Sequence, residues 1–326
     1  MKFNAWKEQQ EKSEIVAQPP EEAGLPVIFD ANVRRTNLVN WVCEHKSKVK
    51  SELRRYGAVL FRRFDVGAVE GFEDFVTEMV DQTGQYTEGA TPRSHVGKGV
   101  YTSTEFPQEQ EIFLHNELSY VLTPPALLAF YCVTSASKGG QTQLADVRKV
   151  LSLIDPAVIE EFKHRGGWSL YRSFGFGMGP SIHKSFGTDD PASLAAYCKQ
   201  ANIEILDHTG STLKTRQCRP VVHQHPETNE DVWFNHAVFW HPSSLPEEFQ
   251  ATLAKSFKLT DFPFVTLYGD GTPIPDDVIG HIRDAYRQAE VMFDWKAGDV
   301  LLLDNKLVAH GRKPFSGDRR VLVAMG

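Results

Sequence analysis

A chain of 326 residues with 41% hydrophobic and 24% charged residues, 24 Gly and 18 Pro can bury a sizeable core, and its composition excludes disorder, collagen-like repeats and a bare coiled coil. Lys and Arg number 35 against 42 Asp and Glu, so with a formal charge of -7 and no basic block a nucleic-acid partner is not expected. The four cysteines, Cys43, Cys132, Cys198 and Cys218, lack CxxC spacing, which argues against a zinc ribbon, a redox pair or a disulfide scaffold and leaves them as small buried apolar residues.

Residues 1–35 mix charge with Pro19, Pro20, Gly24 and Pro26, which predicts a surface arm rather than a core element. The start MKFNAWKEQQEKSEIV has no apolar signal stretch, and no run approaches the ~18 apolar residues that span a bilayer. A cytoplasmic location without a membrane partner is therefore expected. From Leu38 to Arg55 a helical stripe of Leu38, Trp41, Val42, His45, Val49 and Leu53 leads into a strand-like run, Gly57 to Phe64. Val69 to Thr83 reads as a second amphipathic helix.

Beyond residue 85 the texture becomes short β-prone runs between Gly and Pro turns: Leu127 to Val133, Val232 to Phe234, Val300 to Leu303 and Arg320 to Val323. Helical inserts are predicted at Ala157 to His164, Pro191 to Gln200, Pro246 to Phe257 and Pro275 to Phe293, several opening on Pro beside acidic residues that suit a first turn. No repeat or linker splits the chain. The expected fold is one mainly β domain, 1–326, with helical decoration, and long excursions between short strands favour a jelly roll over a hairpin-only barrel.

The segment Phe113-Leu-His-Asn-Glu-Leu-Ser-Tyr120 places His115 and Glu117 two apart, so an extended chain would point both at one spot and Asn116 away. An imidazole and a carboxylate suit a borderline first-row divalent metal, and a third ligand has to come from elsewhere. His310 follows an apolar strand and the Asp304-Asn305 pair, with Arg319 and Arg320 opening the next strand. That order sets a ligand and a fixed cation on neighbouring strands, where an acidic co-substrate can bridge metal and guanidinium. His223 and His225 form a His-x-His pair, but Pro226 and Glu227 spoil cupin spacing and predict a loop edge.

His115-x-Glu117, the distant His310 and Arg320 in this order resemble the facial triad and co-substrate arginine of the iron(II)/2-oxoglutarate-dependent oxygenases, in their taurine-dioxygenase-like branch. The likeness runs from about Gly57 to Gly326 and includes Tyr101 to Glu105, Gly139 to Asp146 and His225 to Asn235; it is greatest to members that oxidise amino-acid-derived substrates in specialised metabolism. It implies a double-stranded β-helix core with Fe(II) on His115, Glu117 and His310, and with 2-oxoglutarate and O2 as co-substrates. By position it puts the far carboxylate of 2-oxoglutarate on Arg320, with Arg319, on the other face of the strand, as the alternative, and the Thr142 hydroxyl beside it. Most of the family has Asp where Glu117 stands, whereas clavaminate-synthase-like and arginine-hydroxylase-like members use Glu. A carboxylate there also disfavours halogenation, since related halogenases have Ala or Gly.

The resemblance implies oxidation, chiefly hydroxylation, of an unactivated C–H bond in a small amino-acid-derived molecule with release of succinate and CO2; desaturation and oxidative cyclisation are alternatives. Glu105, Asn116, Arg172, Phe234 and Asn235 are the candidate substrate contacts, with Tyr171-Arg172 opening a glycine-rich segment, Phe174 to Gly179, read as a lid. A non-catalytic cupin-like metal-binding protein is the rival from another class, and it would not need Arg320. A carrier-bound substrate finds no support in the charge, and a homo-oligomer stays open.

Overall fold

The computed structural model describes residues 15, 17–18, 24–31, 36–80, 87–90, 93–177, 179–245 and 247–326. Its largest sheet runs Ala17–Gln18, Val27–Asp30, Ala58–Arg62, Val300–Asp304, Leu127–Thr134, Arg320–Met325, Val100–Thr102 and His95–Gly97. The central strands read as unbroken apolar runs because both faces are covered. Leu301, Leu303, Leu128, Phe130, Val321 and Val323 face the main core. Val300, Leu302, Val59, Phe61, Leu322 and Ala324 face a second core that contains Leu38, Trp41, Val42, Phe72, Phe75 and Val76. Those last residues are the apolar stripes of the helices Leu38–Tyr56 and Ala68–Met79, which cover this side.

The second sheet, Glu290–Phe293, Thr142–Asp146, Val308–Arg312 and Ile112–His115, is antiparallel throughout. Leu114, Leu144, Ala145, Val308 and Ala309 pack from it into the core shared with the large sheet, giving the expected jelly-roll sandwich. A third sheet, Glu204–Thr209, Thr212–Arg219, Trp168–Phe174 and Phe264–Tyr268, joins this core through Trp168, Leu170 and Tyr268.

Several expectations need correction. Val27–Asp30 is no surface arm: it pairs parallel with Ala58–Arg62 and buries Val27 and Phe29, because its alternate residues meet the helix-covered core. The rest of that arm, residues 1–14, 16, 19–23 and 32–35, lies outside the described residues. The helix predicted to Thr83 ends at Met79, and residues 81–83 are likewise not described. The helix from Asp276 stops at Ala289, and Glu290–Phe293 turns into a strand whose backbone is taken up by Thr142–Asp146. Pro246, expected to open an insert, is not described; that helix spans Glu247–Ser256. Tyr171 and Arg172 do not open a lid but sit in a central strand paired on both sides, leaving only residues 175–179 as a loop, of which Met178 is not described. Cys132 and Cys198 are buried as expected, whereas Cys43 and Cys218 are exposed. His223 ends up in the short strand Val222–Gln224, and His225 is a buried corner residue whose Nε2 lies 3.0 Å from Asp304.

Candidate metal and co-substrate site

His115 closes the strand Ile112–His115 and lies directly opposite His310 in the antiparallel register, so the two imidazoles project from one face with centroids 4.6 Å apart. Glu117, two residues further on, comes to the same point. The strand ends at His115 and Glu117 lies in the turn that follows, where Leu118 takes a left-handed conformation (φ 50°). Its Oε2 lies 4.0 Å from His310 Nε2, and one ligand atom from each of His115, Glu117 and His310 falls within 4.8 Å of the others.

The electrostatics suit a cation. Burial lowers the pKa of His115, and burial together with His115, Arg93 and His236 holds that of His310 well below the usual histidine range, so both rings are neutral and keep a lone pair. His115 donates through Nδ1 to the Phe113 carbonyl at 2.9 Å, which leaves Nε2 as the ligand atom. Two neutral imidazoles and a carboxylate at this spacing match a borderline divalent first-row ion. Arg93, which sequence reasoning missed, places Nη2 2.6 Å from Glu117 Oε2 with a side chain only 4% exposed.

Beside the triad, Thr142, His310, Gly311, Arg312, Arg319 and Val321 line a recess. Of the two arginines singled out in the sequence, the recess is lined by Arg319 and not by the favoured Arg320. Arg320 is exposed and pairs with Thr134, whereas Arg319, just ahead of that strand, is half-buried and lines the recess. Burial, and after it the neighbouring Arg312, lowers the Arg319 pKa to about 10. Thr142 accepts a hydrogen bond from Trp295 Nε1 at 2.8 Å, so its own hydroxyl proton is available to an incoming carboxylate.

A model of the taurine catabolism dioxygenase TauD, TfdA family matches residues 23–325. The chain belongs to this family. As a TauD-family member it is an Fe(II)- and 2-oxoglutarate-dependent dioxygenase, an oxidoreductase that draws on O2. It is 37% identical over 273 residues to the dapdiamide synthesis protein DdaC of Enterobacter agglomerans, covering 84% of this chain and 83% of that one. A clavaminate synthase-like protein of Arabidopsis thaliana is 30% identical over 292 residues, 86% and 84% of the two chains. Among solved structures, PvcB of Pseudomonas aeruginosa shares the fold with a TM-score of 0.55 at 17% identity, over 95% of this chain and 89% of that one.

In this TauD-family dioxygenase a cavity of about 280 Å³ opens on the triad, walled by Phe113, Phe239, Trp240, Phe262 and Phe264, with His236 in its floor. His236 Nδ1 lies 2.7 Å from Ser119 Oγ, and burial keeps the ring neutral. None of the five substrate contacts expected from the sequence lines it. Glu105 is exposed and accepts from Ser94 and Thr102. Asn116 faces away, as the pleat predicted, and donates to the Asn305 carbonyl at 2.6 Å. Arg172 is buried on the carbonyl of Glu88 and the hydroxyl of Ser185, against the Phe174 ring. Phe234 is core, and Asn235 shapes a turn by bonding Val221 and Ala237. The wall lies just downstream, at His236, Phe239 and Trp240, and the aromatic run after Asn235 was the available signal. Among the described residues no helix is long and apolar enough to cross a membrane.

Proposed function

We propose that this dioxygenase hydroxylates an unactivated C–H bond of a small amino-acid-derived molecule in specialised metabolism, releasing succinate and CO2. The observation that carries the reading is the register of His115 on His310 with Glu117 beside them, next to a recess holding Arg319 and Thr142. His115, Glu117 and His310 would hold the iron, which supplies the oxidising chemistry when bound with 2-oxoglutarate and O2. Arg319 would take the far carboxylate of the co-substrate in its planar fork, with Thr142 donating to the same group. The aromatic cavity excludes water and holds one C–H bond at the triad, where misplacement by about an ångström can cost ~100-fold in rate. Identity to a protein named for dapdiamide synthesis supports the metabolic setting. The same reading makes the chain one oxygenase domain in the cytoplasm, which its four free cysteines support.

The test is anaerobic addition of Fe(II) and 2-oxoglutarate, which should raise a weak visible charge-transfer band. His115→Ala and Glu117→Ala should each abolish that band and succinate formation; if either keeps both, the ligand assignment is wrong. Succinate release screened over free amino acids, their acyl derivatives and small peptides, with product mass, then separates hydroxylation (one oxygen gained) from desaturation or ring closure (two hydrogens lost).

A further inference from the structure

The large cavity contains an imidazole that is not part of the triad. His236 is held between four rings: His115 meets it edge-on at 5.7 Å and 74°, Tyr120 edge-on at 5.2 Å and 86°, Phe239 tilted at 5.1 Å, and Trp240 stacked at 6.0 Å. Its plane is therefore fixed. Several polar groups of the same wall are committed elsewhere. The Tyr120 hydroxyl donates to the Glu88 carbonyl at 3.0 Å, both nitrogens of His241 are engaged by Ile274 and Ser243, and Glu111 pairs with Lys313 at 2.8 Å.

The partner of Nδ1 decides where the His236 proton sits. Ser119 Oγ lies 2.7 Å from Nδ1, Ser119 is 2% exposed, and among the described residues its hydroxyl has no other hydrogen-bond partner. A buried hydroxyl donates to the acceptor within its reach, so the Ser119 proton points at Nδ1 and Nδ1 accepts. Burial keeps the ring neutral, which leaves its own proton on Nε2. Among the described residues Nε2 has no hydrogen-bond partner and is not shut in by protein, so the N–H is presented to the cavity that His236 lines.

We infer that His236 anchors the substrate, its Nε2–H donating to an uncharged carbonyl oxygen such as that of an amide or ketone. This rests on the function proposed above and names a specificity-determining residue of the same site. A single neutral donor satisfies a carbonyl, whereas a carboxylate taken to an apolar wall would lose more hydration than one such bond returns. Ser119 is the positioning residue. It stands two places after Glu117 in the same turn, so the ligand carboxylate and the substrate anchor share one frame. With His236 against His115, the carbonyl is held beside the triad rather than at the cavity mouth.

Two measurements on the protein loaded with 2-oxoglutarate and diamagnetic Zn(II) test this. Long-range proton–nitrogen NMR of labelled histidines should place the His236 proton on Nε2, and Ser119→Ala should let the two tautomers mix. Contacts to the Phe239 and Trp240 ring protons identify the His236 signals without a variant. Acetophenone and ethylbenzene, which differ by a carbonyl oxygen in place of two hydrogens, then serve as probes. Acetophenone should move the Nε2–H signal downfield and ethylbenzene should not. His236→Phe should weaken acetophenone by about 3–10-fold and leave ethylbenzene within about twofold. A proton on Nδ1 in the unaltered protein, no binding of acetophenone, or equal effects of His236→Phe on both probes would overturn the inference. The first two outcomes need no variant, so a misfolded His236→Phe does not remove the test. A normal charge-transfer band with Fe(II) and 2-oxoglutarate would show that the proposed function stands even if the carbonyl anchor fails.

Discussion

Asn305 grips the backbone of Glu117 in both directions, its Oδ1 accepting from the Glu117 N–H at 2.8 Å and its Nδ2 donating to the Glu117 carbonyl at 2.8 Å. The same Nδ2 reaches the Pro125 carbonyl at 2.9 Å, and Asn305 is fully buried just beyond the strand Val300–Asp304. The turn that carries the carboxylate is therefore fixed from the far side of the core. Asn305→Ala would strand two buried backbone groups at a cost of ~1–3 kcal/mol each. We expect a melting point lower by several degrees and Mn(II) affinity lower by about 10-fold or more, the usual scale for groups that orient ligands. Calorimetric Mn(II) titration checks it; an unchanged affinity would show that Glu117 holds its place without the clamp.

Arg319 and Arg320 are adjacent in sequence and opposite in consequence. Arg319→Met should raise the dissociation constant for 2-oxoglutarate by about 10–100-fold through loss of a charged partner, while Arg320→Met, at an exposed position, should leave it within about twofold. Titration of the charge-transfer band reads both. A larger effect at Arg320 would reverse the strand-face assignment.

Gly311 follows His310 in the strand Val308–Arg312 and faces the strand that carries His115. A Cβ there would come within 2.6 Å of the Ile112 carbonyl and 3.2 Å of the Leu114 amide, both on the strand that presents His115. Gly311→Ala should push His310 away from His115, weaken Mn(II) binding and cost ~1–3 kcal/mol of stability. Gly280, within the helix Asp276–Ala289, meets nothing within 4 Å, so Gly280→Ala should instead stabilise by about 0.4–1 kcal/mol. Denaturant unfolding of the two variants should therefore move in opposite directions.

His241 donates through Nε2 to the Ile274 carbonyl at 3.0 Å, and its Nδ1 accepts from the Ser243 amide at 3.2 Å and from the Ser243 hydroxyl at 2.8 Å. Protonation would set a new N–H against that amide, and burial holds the pKa below the ordinary value despite Ile274 and Asp276. With the folded pKa depressed, the unfolded chain takes the proton first. The contribution of His241 is whole above about pH 6.5 and is lost as pH falls below it. On going from about pH 7.5 to about pH 5.5 the unaltered protein should lose more melting temperature than His241→Gln. Equal losses would mean that His241 charges without strain.

Much of the frame was written in short-range pattern. The stripe Leu38, Trp41, Val42, Val49 and Leu53 became a helix with those residues buried, and the runs at Leu127, Val300 and Arg320 became central strands. The spacing of His115 and Glu117 singled out two of the three side chains that gather with His310. These features are legible because apolar periodicity and ligand chemistry are properties of a few consecutive residues.

Tertiary structure alone decided the rest. Val321–Met325 is apolar and covered on both faces, so its sequence carries no phase to say whether Arg319 or Arg320 points inward; that depends on which face meets the Thr142–Asp146 side of the sandwich. Val27–Asp30 counts as a core strand only once Ala58–Arg62 offers a parallel edge. Arg93 reaches Glu117 across 24 positions of chain, and no local pattern encodes such a meeting. Residue types and their short-range rhythm determined what chemistry this protein can carry, whereas packing of distant segments chose which arginine faces the metal site and which aromatic rings wall its cavity.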